Sequence, residues 1–208
     1  MNLGAVAALP LGPETRTWFR AVDPQFLPTA LQTAHTTRVF SRYSPGPLGQ
    51  PPFEILYLAE NQLVALFEVQ ALFGAPTKPG ALVPNPARTW VTQSVTVQLS
   101  AVADLTQALA QHLLETSAQE LTGDWQGCQL RGPGTSVSRP IGLAPTQELG
   151  EALRRDVRQI EGFRAVSAKL PYHQVLGVFP QNLRAGSFVR FTYRDSSGKD
   201  RDYAVAPT

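Results

Sequence analysis

Cysteine and histidine are scarce in this sequence. Cys128 is the single cysteine among 208 residues, so an internal disulfide is excluded. The three histidines, His35, His112 and His173, are scattered and do not have the spacing of structural zinc ligands. The sequence therefore predicts no metal site.

Charge is also low, and no run of four or more lysine or arginine residues occurs. Asp, Glu, Lys and Arg together make up 16% of the chain, and the formal net charge is +2. This weak positive charge does not match the footprint of a nucleic-acid-binding protein. Only three of the 18 basic residues are lysines, and the arginines that dominate are suited to bidentate binding of phosphate or carboxylate.

Long apolar runs are absent as well. None reaches the roughly 20 residues that a membrane-spanning helix requires. The first residues are mildly apolar, but they lack a basic segment, and Pro10 and Pro13 interrupt them before a signal-peptide core is complete. We therefore expect a cytoplasmic protein that makes no contact with a membrane.

Proline and glycine are abundant, with 18 and 16 residues, and hydrophobic residues make up 43% of the chain. The many turn-forming residues argue against a helical bundle. The hydrophobic content is sufficient for one large core, and there is no internal repeat and no low-complexity linker. Residues 1–208 are therefore expected to form a single domain.

Hydrophobic periodicity predicts a mixture of strands and helices. The predicted strands are Phe53–Ala59, Trp90–Leu99, Arg164–Ala168, Gln174–Phe179, Ser187–Arg194 and Tyr203–Ala206. The predicted helices are Asn61–Phe73, Ala103–Leu114 and Gln147–Ile160. Because strands and helices do not alternate strictly, the pattern favours an α+β fold over a doubly wound parallel sheet. We expect a mixed, largely antiparallel sheet with flanking helices.

Glu68 is an acidic residue in an otherwise apolar helical segment. Leucine, valine and phenylalanine occupy nearly every side of the predicted helix Asn61–Phe73, so the Glu68 carboxylate is expected near the core. A buried carboxylate without a partner costs roughly several kcal/mol, so a cation, a hydrogen-bond donor or a ligand should face it. On the helix alone, a solvated position or a structural arginine partner is the simpler interpretation.

Tyr57 and Arg42 give Glu68 a functional context. Tyr57 lies in the strand before the helix, eleven residues ahead of Glu68, so a strand-to-helix turn can bring both side chains to one cleft. Arg42 lies on the far side of the proline-rich loop 44–52 from Tyr57. Taken alone, a strand tyrosine usually packs in the core, and an arginine before a loop is usually solvated.

Taken together, three features resemble the central signature of the RES domain family. They are the RYSP motif that begins at Arg42, the Gly/Pro-rich loop, and the LYLAE motif of Tyr57 with Glu68 eleven positions later. The resemblance extends over about residues 18–194. It implies a fold similar to that of ADP-ribosyltransferase toxins, with Arg42, Tyr57 and Glu68 lining a cleft that binds NAD.

The resemblance assigns two further residues. Arg20, in the WFRAV motif, is similar to an early arginine of the family that helps to hold the dinucleotide. Ser167, in the AVSAKLP motif, resembles the serine of the family's Ser-Ala turn. The separation of fifteen residues between Arg42 and Tyr57 is wider than in compact family members, so the loop between them is expected to alter the rim of the cleft.

The resemblance also implies an activity. It predicts a toxin of a toxin-antitoxin system that degrades NAD by cleaving the bond between nicotinamide and ribose. The acceptor is either water, which makes the enzyme an NAD glycohydrolase, or inorganic phosphate, which makes it an NAD phosphorylase. NAD is the substrate, and no separate cofactor is expected. A cognate antitoxin protein is the expected partner.

These residue types fit that chemistry. Departure of nicotinamide develops positive charge on the ribose, which the Glu68 carboxylate would stabilise. Arg42 and Arg20 would bind the pyrophosphate or an attacking phosphate. Tyr57 would stack on the nicotinamide ring, and Ser167 would donate a hydrogen bond to a phosphate or ribose oxygen.

Two alternatives stay open. The first is a mono-ADP-ribosyltransferase that passes ADP-ribose to a macromolecule. Many transferases of arginine side chains carry a second acid two residues before the catalytic glutamate, where this sequence has Leu66. The second is a non-catalytic interaction module on the same fold, which would not need Arg42, Tyr57 and Glu68 together.

Overall fold

The structure is a computed structural model that describes residues 1–73, 83–85, 88–130, 142–195 and 197–207. Its strands are β1 (Leu11–Glu14), β2 (Thr17–Val22), β3 (Leu56–Ala59), β4 (Leu72–Phe73), β5 (Val83–Pro84), β6 (Val91–Asp104), β7 (Gly162–Val166), β8 (Gln174–Val178), β9 (Phe188–Arg194) and β10 (Asp200–Val205). Its α-helices are α1 (Gln62–Glu68), α2 (Ala108–Leu113), α3 (Ala118–Thr122), α4 (Trp125–Leu130) and α5 (Pro145–Arg155). Short 3-10 helices span Leu3–Ala8, Pro24–Thr29, Ala34–Arg38, Gly46–Leu48 and Pro180–Asn182. Among the helices in these ranges, none has the length and apolar character needed to cross a bilayer.

The long strand β6 organises the sheet. One edge of β6 pairs with β2 and β1, and the other edge pairs with β9 and then with β7. Strand β2 also pairs with β3, β3 with β8, and β8 with β7, so these pairings close a ring. The contact of β6 with β7 is parallel, whereas the other pairings are antiparallel. The predicted α+β fold with a largely antiparallel sheet is therefore confirmed.

Apolar side chains pack on both faces of this sheet. In β3 the side chains of Leu56 and Leu58 enter one core cluster, whereas Ala59 and the preceding Ile55 enter the other. This alternation follows from the two-residue period of a strand. The cluster that contains Ile55 also includes residues of α1, α2, α3 and α5, so the helices cover that face of the sheet.

Helix α1 begins as predicted but is shorter. Asn61 caps its start, because its side-chain oxygen accepts a hydrogen bond from the Val64 N–H at 2.9 Å. The helix ends at Glu68, and Gln70 adopts a left-handed φ of 58°. The N–H of the next residue then bonds to the Leu66 carbonyl, as in a Schellman motif. The predicted continuation to Phe73 is wrong, since residues 72–73 form strand β4.

The predicted strands are found with shifted boundaries. The segment Trp90–Leu99 belongs to β6, which continues to Asp104, so the predicted helix Ala103–Leu114 begins only at Ala108. The Asp104 carboxylate accepts hydrogen bonds from the Thr106 N–H and hydroxyl, which turns the chain after the strand. The apolar pattern did not predict strands β1 and β2.

The predicted helix Gln147–Ile160 is found as α5, which begins at Pro145 and ends at Arg155. Proline fits the first turn of a helix because that position needs no N–H donor. Past the end of the helix, Val157 is 94% exposed although Ile160 is buried. The spacing of Val157 and Ile160 therefore does not mark the apolar face of a helix.

Helix α5 lies directly against the turn Ser41–Ser44. A Cβ on Gly150 would stand 1.9 Å from the Tyr43 carbonyl oxygen, so only glycine allows this approach. The Gln147 side chain donates hydrogen bonds to the carbonyls of the first and last residues of the turn, at 2.9 and 3.3 Å. The helix thus fixes the backbone of the turn at both ends.

Glu161 is a buried carboxylate next to a junction in the sheet. At this junction one edge of β6 stops pairing with β9 and begins to pair with β7. Glu161 is fully buried, and its Oε2 accepts hydrogen bonds from the N–H groups of Ser100 at 2.6 Å and Ala101 at 2.7 Å. Its Oε1 accepts from the Arg184 N–H at 2.9 Å. These N–H groups would otherwise lack partners, so Glu161 completes the sheet at this position.

Substitution of Glu161 tests this role. Glu161→Gln replaces one acceptor oxygen with an amide donor that faces backbone N–H groups, so we expect a loss of about 2–3 kcal/mol in the free energy of unfolding. Urea denaturation at neutral pH measures it. The control is Glu115→Gln at an exposed position, which should change stability by less than about 0.5 kcal/mol. Equal stability of the two variants would contradict the role of Glu161.

The same carboxylate gives a pH dependence. Burial by itself raises the pKa of Glu161, but hydrogen bonds from Ser187, the Arg184 N–H and Ser100 outweigh it and hold the pKa below its ordinary value of 4.5. The stabilisation is therefore complete above pH 4.5 and is lost as the pH falls through the folded-state pKa. Between pH 4.5 and that lower folded-state pKa, the free energy of unfolding should decline more steeply in the wild type than in Glu161→Gln.

Gly150→Ala tests the packing of α5 on the turn. The added methyl group would overlap the Tyr43 carbonyl, so we expect a loss of about 1–3 kcal/mol, measured by thermal denaturation. The matched control is Gly12→Ala in β1, because a Cβ there has no neighbour within 4 Å. If both variants melt at the wild-type temperature, the close approach does not constrain the helix.

Candidate active site

A cavity of about 420 Å³ lies between β2, β3, the end of α1 and the Ser41–Ser44 turn. Four of the residues singled out in the sequence, Arg20, Arg42, Tyr57 and Glu68, line this cavity. Residues of α4 and of the segment that follows β7 complete the wall. The structure therefore brings together side chains that are up to 48 positions apart in the sequence.

Tyr57 joins β3 to the turn. Its hydroxyl lies 2.9 Å from the Ser41 hydroxyl and accepts a hydrogen bond from the Tyr43 N–H at 3.2 Å. Burial raises the pKa of Tyr57 to about 12, against the smaller opposing effect of these hydrogen bonds. The phenol therefore stays protonated at neutral pH, and its position fixes the turn from the side opposite to α5.

Glu68 lies at the wall of the cavity as the last residue of α1. The expectation that its carboxylate lies near the core is wrong, because the helix ends there and the side chain is exposed. The Ser167 hydroxyl donates a hydrogen bond to Glu68 Oε1 at 2.5 Å. One oxygen of the carboxylate is thus fixed by the protein, and Oε2 has no hydrogen-bond partner among the described residues.

Ser167 is buried in the turn that follows β7, just past the end of the strand. Its hydroxyl oxygen accepts hydrogen bonds from the N–H groups of Lys169 at 3.2 Å and Leu170 at 3.0 Å. Its N–H donates to the His173 carbonyl, and the His173 ring is paired with Glu60 at the end of β3. These contacts direct the hydroxyl proton of Ser167 toward Glu68 and not toward the cavity.

Arg20 is a cation in the wall of the cavity. Its Nη1 donates a hydrogen bond to the Tyr57 carbonyl at 2.7 Å, and within the described residues it forms no ion pair. Its Nε is buried without a hydrogen-bond partner. Burial lowers the pKa of Arg20 to about 10, so the guanidinium keeps its charge at neutral pH. Such a group at a cavity wall is suited to binding an anion.

Arg42 has a structural contact in addition to its place in the cavity wall. Its Nη1 donates hydrogen bonds to the carbonyls of Leu121 and Gly123, at the C-terminal end of α3. A cation at this end of a helix binds carbonyl groups that have no partner in the helix. Arg42 therefore holds the start of α4, where Trp125 and Gln126 line the cavity.

Sequence reasoning missed several residues of this site. Gln147 and Gly150 position the turn, and Trp125 and Lys169 line the cavity. Pro145 was an available signal for the start of helix α5, but it does not indicate that Gln147 and Gly150 contact the turn. No sequence pattern indicated Trp125. Within the described ranges, no group of three or more His, Cys, Asp or Glu side chains converges to hold a metal ion.

The arrangement combines a carboxylate with one fixed and one open oxygen, two guanidinium groups and an aromatic ring. The carboxylate can stabilise positive charge that develops on a bound molecule. The guanidinium groups can bind phosphate oxygens of that molecule. The cavity is thus suited to a substrate that carries phosphate near a centre that becomes cationic.

Comparisons with known proteins identify the family and the fold. A sequence model described as RES domain matches residues 17–197. A chain in the crystal structure of the M. tuberculosis MbcT-MbcA toxin-antitoxin complex has a similar fold, with a TM-score of 0.59 and 18% sequence identity over 99% of this chain and 91% of that chain. No curated protein is similar enough in sequence to count as a relative. Because the RES model covers most of the sequence, this protein belongs to the RES domain family.

Proposed function

We propose that this protein degrades NAD by breaking the bond between nicotinamide and ribose. The observation that carries the proposal is the Glu68 carboxylate, which Ser167 fixes at one oxygen. Arg20, which has no ion pair among the described residues, lines the same cavity. NAD has a pyrophosphate, which an arginine binds well, and a cationic leaving group on its ribose. Membership of the RES domain family supports the same substrate.

The proposed reaction begins with loss of the leaving group. The bond between the ribose anomeric carbon and the nicotinamide nitrogen breaks, and its electron pair leaves with neutral nicotinamide. Positive charge then develops on the ribose, where Glu68 stabilises it electrostatically. Ser167 acts as a positioning residue, because its hydrogen bond to Oε1 leaves Oε2 to face the sugar.

The other side chains orient the substrate. The Tyr57 ring packs against nicotinamide, while its hydroxyl remains bonded to the turn and takes no part in proton transfer. Arg20 binds the pyrophosphate, and Arg42, which lines the same cavity, binds an attacking phosphate when phosphate is the acceptor. Orientation of this kind lowers the barrier because the reactants meet in productive geometry.

The acceptor of the ADP-ribosyl group is water or inorganic phosphate. Water forms a bond to the anomeric carbon and releases a proton, which gives ADP-ribose. Phosphate forms the same bond and gives the phosphate ester of ADP-ribose. The guanidinium groups can bind phosphate, and the cavity also admits water, so the identity of the product separates a glycohydrolase from a phosphorylase.

We propose further that the protein is the toxin of a toxin-antitoxin pair. The similar fold comes from a chain of a complex described as toxin-antitoxin, and unrestrained NAD loss would harm the cell that makes the enzyme. A cognate antitoxin would prevent this by covering the cavity. Expression of this chain alone should therefore deplete cellular NAD and arrest growth.

Glu68→Gln tests the central role of the carboxylate. Because the amide keeps the size of the side chain but removes its charge, we expect nicotinamide release from NAD to fall about a hundredfold or more. Nicotinamide and the adenine-containing product are identified by chromatography and mass, with and without phosphate. Glu115→Gln, at an exposed position outside the cavity wall, is the control and should retain wild-type activity.

Each alternative has its own outcome in this assay. No nicotinamide release from folded wild-type protein would exclude the enzyme and favour an interaction module. Release that is unchanged in Glu68→Gln would exclude the assignment of Glu68. Label transferred from NAD to a protein or nucleic acid would identify a mono-ADP-ribosyltransferase.

A further inference from the structure

A second cavity, of about 840 Å³, adjoins the first. Arg20, Ala21 and Val69 line both cavities, so Arg20 lies at the boundary between them. None of the other residues of the second cavity has a part in the proposed bond cleavage. They are Val22, Asp23, Gln25, Phe26, Thr29, Ala30, Gln32, His35, Arg88 and Trp90.

The wall of the second cavity has the chemistry of a nucleoside site. Phe26 lines it with a side chain that is 57% exposed, and Trp90 adds a second aromatic ring that is partly buried. Aromatic rings of this kind stack on a purine base without regard to its hydrogen-bonding edge. Asp23 and Gln25 supply polar groups for ribose hydroxyls, and Arg88 adds a cation.

The position of Arg20 connects this cavity to the reaction. A dinucleotide has two nucleoside halves joined by a pyrophosphate. Here two cavities adjoin at a guanidinium that forms no ion pair in the part of the chain that the structure describes. If the pyrophosphate lies on Arg20 and the nicotinamide half enters the first cavity, the other half must leave Arg20 toward a different surface. The second cavity offers such a surface, because Arg20 also lines it.

We infer that the second cavity binds the adenosine half of the dinucleotide, with Phe26 and Trp90 holding the adenine ring. This inference rests on the proposed function for the identity of the substrate. It makes the enzyme selective for dinucleotides over mononucleotides with the same scissile bond. The selectivity arises because binding energy from a remote part of the substrate contributes to cleavage.

Nicotinamide mononucleotide provides the test, because it has the same bond to nicotinamide but lacks the adenosine half. Wild-type enzyme should cleave NAD with a kcat/KM at least about tenfold higher than that for the mononucleotide. Phe26→Ala and Trp90→Ala should reduce kcat/KM for NAD about tenfold, mainly through KM, and should largely remove this preference. Leu109→Ala, at a position 57% exposed on α2, is the matched control and should keep it.

Binding of AMP gives a readout that does not depend on catalysis. Isothermal titration should detect AMP binding to the wild type, and Phe26→Ala should weaken it about fivefold or more while its melting temperature stays close to that of Leu109→Ala. Trp90→Phe keeps an aromatic ring and should weaken AMP binding less than Trp90→Ala. Stronger AMP binding by Trp90→Phe than by Trp90→Ala would show that the loss of affinity comes from loss of aromatic stacking and not from unfolding of the protein.

The outcomes distinguish the two proposals. AMP binding that depends on Phe26 and Trp90, in a protein that does not cleave NAD, would support the adenosine site and overturn the proposed function. Cleavage of NAD without AMP binding and without preference over the mononucleotide would overturn the adenosine site alone. An equal loss of activity on both substrates in the Phe26 and Trp90 variants would also overturn it.

Discussion

The candidate site depends on one packing constraint, the close approach of helix α5 to the Ser41–Ser44 turn. Gly150 leaves no space for a side chain against the turn, and Gln147 bonds to both of its ends. From the opposite side, the Tyr57 hydroxyl bonds to the same turn. The turn is thus held between a helix and the sheet, and Arg42 projects from a backbone with little freedom to move.

Two carboxylates in this fold illustrate how the same group serves structure or chemistry. Glu161 is buried, and both of its oxygens accept hydrogen bonds from the backbone. These hydrogen bonds stabilise its charge at the position where β6 changes its pairing from β9 to β7. Glu68 is exposed, and within the described residues its one hydrogen bond comes from Ser167 to Oε1. An oxygen without a protein partner remains available for a ligand, as does the charge of Arg20.

Local features of the site were predictable, and distant ones were not. Tyr57 and Glu68 could be grouped from sequence because a turn from a strand into a short helix can bring both side chains to one cleft. The sequence did not reveal where α1 ends. The left-handed residue that stops the helix is a glutamine, Gln70, where a glycine would have been a recognisable signal. The second cavity could not be predicted from the sequence either, because Phe26 and Trp90 are far apart along the chain.

The sequence by itself indicated the fold class, most of the strands, the family and the grouping of Arg42, Tyr57 and Glu68, which line one cavity. These follow from periodicity and short motifs, which are properties of neighbouring residues. Only the tertiary structure decided that Glu68 is exposed, that Ser167 holds it and that Arg20 meets no counter-ion among the described residues. Such properties depend on contacts between segments about 100 positions apart, which local patterns do not encode.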